Sequence, residues 1–306
     1  MPPIIRKKRL NIIGGDKLRT EQQMLDLVLK VANEDNRVRA VCMNGSRTNL
    51  NVPKDAFQDF DIVYIVDDMQ SFLAEPDWID VFGEKIIMQT PEDFSLFPAE
   101  LGGRFTYLML FTDGNRIDLM LIPIEEKEKY CQEDGLTIVL FDKDGSLPYV
   151  PPSTDKDYWV KKPTAEQFAD CFNEFWWVST YVVKGLWRQE ILYAIDHMNI
   201  VRAMLLKMLE WKAGIETDFS LSVGKNSKYL KRYMDEQTWQ KLMDTYPSGE
   251  YNQVWEALFS MTALFEETGL EVGKQLSYRY PIKEAEKVKS YLKHVRTLHP
   301  NATEIY

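Results

Sequence analysis

Four prolines (Pro148, Pro151, Pro152 and Pro163) fall between Asp142 and Pro163, and the hydrophobic pattern changes across them. Proline lacks the amide hydrogen that helix interiors and inner strands need, and its ring fixes φ, so such a segment connects elements and forms none. Before it, apolar residues come in short β-branched runs. After it, they recur every three or four residues. This two-part grammar predicts an α/β (α+β) chain: a mixed-sheet domain over residues 20–150, then a helical bundle over residues 151–306. At 306 residues and 45% hydrophobic, the chain can fill two such cores. No internal repeat is visible.

In the first part, Thr20 and Gln23 have the spacing of a capping box, and Met24, Leu27, Val28 and Val31 follow at helical spacing. A helix is expected over residues 21–34 and a second near 71–82. Strands are expected at Val38–Met43, Ile62–Val66, Lys85–Met88, Thr106–Phe111 and Ile117–Ile122, with an edge strand at Thr137–Phe141. The run Ile62-Val63-Tyr64-Ile65-Val66 is too apolar for either face to meet water, which makes it a central strand. Asp113-Gly114-Asn115 signals a hairpin turn.

In the second part, Phe168, Phe172, Phe175, Val178 and Val182 mark one helix face, and Leu186–Trp211 and Gln253–Glu267 continue the helical pattern. Residues 1–19 read differently from either part. They hold the basic run Arg6-Lys7-Lys8-Arg9 and the break Gly14-Gly15, and we expect a flexible N-terminal extension in place of a targeting or nucleic-acid tail.

Charge narrows the classes of function. With 37 Lys and Arg against 47 Asp and Glu, the net charge is −10, which argues against a general nucleic-acid binder. No apolar run approaches the ~18 residues of a membrane span, and no signal peptide is evident. Three cysteines and three histidines, all without ligand spacing, imply neither a disulfide framework nor a thiolate or imidazole metal site. The expectation is a cytoplasmic protein without membrane or nucleic-acid partners.

The chemistry concentrates in Gly45-Ser46-Arg47 and, after twelve residues from Ser46, Asp59-Phe60-Asp61. Alternation along a strand points Asp59 and Asp61 the same way. Two neighbouring carboxylates repel unless a cation neutralises them, and Mg²⁺ takes oxygen ligands while leaving places for phosphate. Asp118, in the apolar strand Arg116–Leu121, is a third acid able to converge on them. Alone, Gly-Ser is a turn, Asp-x-Asp a solvated strand end and Asp118 a salt-bridged acid. Together, in strand context, they form the acidic set of in-line phosphoryl or nucleotidyl transfer.

These residues resemble the nucleotidyltransferase superfamily signature. The longer strings Gly45–Asn49, Phe57–Ile62, Asn173–Trp176, Lys184–Arg188, Ala194–His197 and Ser222–Asn226 are similar to the aminoglycoside 6-adenylyltransferases, also called streptomycin adenylyltransferases. The resemblance runs from about Glu21 to about Pro281, and Asn44 departs from it, since an apolar or acidic residue is usual before Gly-Ser. It implies transfer of AMP from ATP to an aminoglycoside hydroxyl with Mg²⁺ and release of pyrophosphate. Gly45, Ser46 and Arg47 would meet the triphosphate, Asp59 and Asp61 would hold the metal, and Asp118 would be a third ligand or the base.

The helical part would supply further contacts. Lys225 and Lys228, in the turn Gly224–Lys228, are either phosphate ligands or a solvated helix start. Streptomycin-like acceptors carry guanidinium groups, which pair with carboxylates as a fork. Glu174 among aromatics and Asp196 in an apolar stretch are candidates, with Trp176 or Trp177 adding a cation–π contact; for each acid an internal salt bridge is the plain alternative. The expected enzyme is a monomer or weak homodimer. Rival readings are a nucleotidyltransferase acting on a protein or another small hydroxyl compound, and a non-catalytic nucleotide-binding module.

Overall fold

The computed structural model describes residues 18–306, so the expected extension over 1–19 lies outside the described residues except for Leu18 and Arg19. Arg19 belongs to the fold: its guanidinium pairs with Asp113 at 2.6 Å and donates to the Phe82 carbonyl. The chain divides into two compact units, one ending at Asp157 and the other spanning Tyr158–Tyr306.

The first unit is built on six strands: β1 (Val38–Asn44), β2 (Phe60–Val66), β3 (Lys85–Gln89), β4 (Phe105–Phe111), β5 (Arg116–Pro123) and β6 (Ile138–Asp142). Their order is β3-β4-β5-β2-β1-β6. Only β2 and β5 run parallel; the other pairs are antiparallel. β2 is central, as its unbroken apolar run requires, and β6 is an edge. Alternation splits β2 between two faces. Phe60, Ile62, Tyr64 and Val66 pack with Met24, Val28 and Val31 of α1 (Glu21–Glu34) in one core. Val63 and Ile65 share a smaller core with Cys42, Ile122 and Tyr130 on the opposite face. That second core stops short of the strand ends where Asp61 and Asp118 stand.

The capping box of α1 forms as read, with the Thr20 side chain accepting from the Gln23 amide. The helix expected near 71–82 does not run through. α2 covers Met69–Ala74, and Pro76–Phe82 is a 3-10 turn. Pro76 explains the break, because it cannot donate and it drives Glu75 out of helical φ/ψ. α3 (Lys127–Tyr130) is a single turn that the pattern did not mark.

The second unit is helical: α4 (Ala165–Trp187), α5 (Ile191–Glu216), α6 (Glu236–Met243), α7 (Tyr251–Leu276) and α8 (Ile282–Thr297). The stretch read as continuous from Leu186 to Trp211 is broken between α4 and α5, where Gln189 adopts a left-handed φ of 58°. Gly185 permits this tight hairpin, since a Cβ there would lie 2.8 Å from the Tyr193 ring. Phe175 of α4 stacks on Phe265 of α7 with centroids 3.6 Å apart, at the centre of this core. Among the described residues no helix is long and apolar enough to cross a membrane.

Candidate active site

Strand register assembles the site. Asn44 of β1 lies opposite Asp61 of β2, and Asp61 lies opposite Asp118 of β5. The row continues through Leu108 of β4 to Gln89 of β3. Asp59, just before β2, completes the acidic set. Asp59, Asp61 and Asp118 each offer a carboxylate oxygen, and these atoms lie within 4.8 Å of one another.

Burial and then the charges of Asp59 and Asp118 push the Asp61 carboxyl up to about 7, and Arg116 and Arg47 offset this only in part. A hard divalent cation fits this donor set: all ligands are carboxylate oxygens, and it would offset the burial and the repulsion that raise the Asp61 carboxyl.

The turn after β1 is shaped around the same carboxylate. Gly45 has φ +75°, and a Cβ on it would sit 2.1 Å from Asp61 Oδ2. The glycine read as an approach path for triphosphate thus also makes room for the acid. The Ser46 hydroxyl has no hydrogen-bond partner among the described residues, and it remains available to a ligand.

Arg47 departs from its expected place on the triphosphate. Its Nε donates to the Asp59 carbonyl at 2.8 Å and its Nη2 to the Gln58 carbonyl at 2.7 Å. The guanidinium also lies 3.7 Å over the Phe60 ring and 3.4 Å from Glu21. With its side chain 9% exposed, Arg47 is committed to holding the loop that carries Asp59.

Three features went unread in the sequence. Arg116 forks onto Asp118, Nε to Oδ1 and Nη2 to Oδ2, both at 2.7 Å. Asn44, whose identity departs from the family pattern, accepts from the Tyr130 hydroxyl at 2.5 Å and donates to Thr137 at 2.8 Å. Finally, a cleft of about 800 Å³ opens beside the acidic row. Among the described residues its lining includes Asp61, Asp118, Glu92, Glu100, Glu133 and Asp134, with Arg104 as the one cation. Arg104 is itself held by Glu126 and Glu133. Asp61 and Asp118 stand on strands, but Glu92, Glu100, Glu133 and Asp134 come from loops and short turns, so no spacing in the sequence joins those four to the site.

The helical unit distributes its candidates. Glu174 is exposed on α4, not enclosed by aromatics, and lines a cleft of about 650 Å³ with Asp170, Glu210, Trp159 and Trp211. Trp176 is 2% exposed and packs edge-on against Phe175 and Phe265, so most of its ring belongs to the core, and only its margin reaches a cleft beside α8. Trp177 is exposed but lines that same cleft, not the one of Glu174. Asp196 is exposed on α5 and lines neither of these two clefts. The apolar residues around Glu174 and Asp196 in sequence point inward around the helix while the acids point out. Lys225 and Lys228 are exposed in a 3-10 turn after Gly224, whose φ is +72°. No α-helix starts there; α6 begins at Glu236.

A positive-φ glycine turn beside three converging carboxylates, on a mixed sheet, defines an enzyme of the nucleotidyltransferase class. Comparison with known proteins makes this specific. The chain belongs to the streptomycin adenylyltransferase family, which it matches over residues 18–295. It is 50% identical over 266 residues to an aminoglycoside 6-adenylyltransferase of Bacillus subtilis (strain 168), covering 86% of this chain and 94% of that protein. A Campylobacter jejuni protein of the same name is 50% identical over 276 residues, covering 90% of this chain and 95% of its own. One from Staphylococcus aureus is 39% identical over 266 residues, covering 86% and 94%. The crystal structure of an aminoglycoside 6-adenyltransferase from Bacillus subtilis matches at 45% identity with a TM-score of 0.46, covering 92% of this chain and all of that one.

Proposed function

We propose that this enzyme transfers AMP from ATP to a hydroxyl of a streptomycin-type aminoglycoside and releases pyrophosphate, inactivating the antibiotic. The observation that carries this reading is the row of carboxylates at the edge of an acidic cleft, in a chain half identical to aminoglycoside 6-adenylyltransferases. Asp59 and Asp61 hold Mg²⁺, and Asp118 completes the set. When bound, the ion neutralises charge that develops on the α-phosphate and the leaving pyrophosphate.

The protein's own groups do the rest. The Gly45 turn brings backbone and the Ser46 hydroxyl to the phosphates, and Arg47 keeps Asp59 in place from behind. Asp118 also lines the acidic cleft, where it meets the acceptor hydroxyl and takes its proton unless it is the third metal ligand. A polycationic acceptor suits the cleft, whose acids outnumber its one arginine among the described residues. Glu174, in a cleft it shares with Asp170, Glu210, Lys161 and Lys207, is the helical unit's candidate for a guanidinium, and Lys225 and Lys228 are its candidates for the β- and γ-phosphates. We place the reaction in the cytoplasm, where ATP is supplied, and read the enzyme as a monomer or weak homodimer.

Pyrophosphate release with ATP and Mg²⁺ across a panel of aminoglycosides tests the reading. Turnover is expected with streptomycin and not with kanamycin-like amines that lack guanidinium groups. Turnover of the latter alone contradicts the acceptor, and release with no aminoglycoside at all favours another hydroxyl substrate.

A further inference from the structure

We propose that Arg116 is an exchangeable counter-ion: it pairs with the acids of the triad and exchanges onto the polyphosphate of the incoming nucleotide. This rests on the nucleotidyl-transfer reading of the site. Both oxygens of Asp118 accept from the guanidinium at 2.7 Å, and Nε also stands 3.8 Å from Asp59 Oδ2. A carboxylate held by such a fork has one lone pair of each oxygen engaged, and the guanidinium charge lowers its attraction for a cation or a proton. In either role of Asp118, the fork competes with the ligand.

The other arginines of this unit have partners outside the acidic set among the described residues. Arg19 pairs with Asp113, Arg37 with Asp35, Arg39 with Asp144, and Arg104 with Glu126 and Glu133. Arg47 is fixed on backbone carbonyls. Among the described residues Arg116 alone has only the acids of the triad for partners, and its side chain is 47% exposed. It also borders a second cleft of about 440 Å³, lined by Phe57, Gln58, Ile87 and Asn115, which gives the displaced side chain a place to go. A guanidinium released from Asp118 needs another anion with two oxygens that can accept its fork, and a phosphate of the nucleotide is the one the reaction brings. The exchange gives the acids a cationic partner in each state, the arginine in one and the divalent cation that arrives with the nucleotide in the other.

The test is titration of Mn²⁺ alone, and of α,β-methylene-ATP with Mn²⁺, into the parent and into Arg116→Ala and Arg116→Lys. Exchange predicts opposite signs. Arg116→Ala should bind Mn²⁺ alone several-fold more tightly, because nothing has to be displaced, and should bind the nucleotide analogue at least tenfold more weakly. Arg116→Lys, which keeps the charge but not the fork, should recover part of the analogue affinity. An arginine that stays on Asp118 throughout would tighten Mn²⁺ on removal and leave the analogue unaffected, which overturns the exchange. Weaker Mn²⁺ binding in Arg116→Ala overturns it as well. Thermal melting with and without Mn²⁺ confirms that each variant is folded in the titration buffer. A parent that binds neither Mn²⁺ nor the analogue overturns the reading of the site itself; a parent that binds both keeps that reading whatever Arg116 does.

Discussion

Gly45 and Asp61 occupy nearly the same space: a Cβ on the glycine would lie 2.1 Å from the Oδ2 atom of the acid. The φ of +75° at Gly45 adds an independent penalty for any other residue, about 1 kcal/mol or more. Gly45→Ala is therefore expected to displace the Asp61 carboxylate as well as strain the turn. Activity should fall at least a hundredfold, while the melting temperature drops by only a few degrees. Mn²⁺ titration checks the cause, since affinity for the ion should fall with activity. A variant of near-parental activity would mean that the turn and the acid move independently.

Asp61 makes stability depend on pH in an unusual direction for a carboxylate. Its folded value of about 7 stands above the 3.8 of the unfolded chain. Between these values the folded state binds more protons, so the contribution is complete below about pH 4 and lost as pH rises through about 7. Without divalent cations, the melting temperature of the parent should decline between about pH 5 and pH 8 more steeply than that of Asp61→Asn. Saturating Mg²⁺ should abolish the difference. Parallel curves for the two proteins without metal would contradict the crowding of charge at this site.

Much of this site is legible in the chain because strand alternation is a local rule. Asp59, Asp61 and Asp118 could be placed on one face from their spacing and apolar neighbours alone. Glu174 and Asp196 show where the same logic fails: apolar neighbours in a helix sequence lie around the cylinder, so they do not enclose the acid among them. Trp176 and Trp177 are adjacent yet fall into core and surface, a phase that the cluster of aromatics hid. Arg47 looked like a phosphate ligand because it follows Gly-Ser, but its partners are two carbonyls eleven and twelve residues away. The fork of Arg116 and the acidic cleft depend on register and loop closure, and neither is encoded in a short motif.

Arg47 should matter through Asp59. Its two bonds to the Gln58 and Asp59 carbonyls are charge-assisted, so Arg47→Ala should cost about 2–3 kcal/mol of stability. Turnover should fall along with affinity for Mn²⁺. Arg47→Lys cannot reproduce the fork and should recover little. Equilibrium unfolding and Mn²⁺ titration on the same preparations check both effects; a variant that loses only ATP affinity would return Arg47 to the triphosphate.

The N-terminal boundary also has a sharp expected edge. Asp113 has a side chain only 2% exposed, and although burial pushes its carboxyl up, the bonds from Arg19 and Asn115 hold it far below the usual carboxylate range. Breaking such a pair strands a buried charge, at a cost of about 3 kcal/mol. A chain that begins at Leu18 should keep its melting temperature, whereas one that begins at Thr20 should lose several degrees. Equal melting of the two truncated chains would show that Arg19 is dispensable.

The acceptor seat can be separated from the nucleotide seat by kinetics. Glu92→Gln with Glu100→Gln should raise KM for streptomycin about tenfold and leave KM for ATP unchanged, because these acids line the large cleft away from the Gly45 turn. Glu174→Gln should have a smaller effect of the same kind, and Asp196→Asn, exposed and outside these clefts, should stay within about twofold. A strong effect from Asp196→Asn alone would move the acceptor to the exposed face of α5.

The most direct test of the central claim is mass analysis of streptomycin after incubation with ATP, Mg²⁺ and either the parent or Asp59→Asn, Asp61→Asn and Asp118→Asn. The account predicts a product heavier by one adenylyl group, with equal pyrophosphate, from the parent, and none from the three variants although each melts cooperatively at or above the parental temperature. Adenylylated streptomycin at a parental rate from any two of these variants would contradict it.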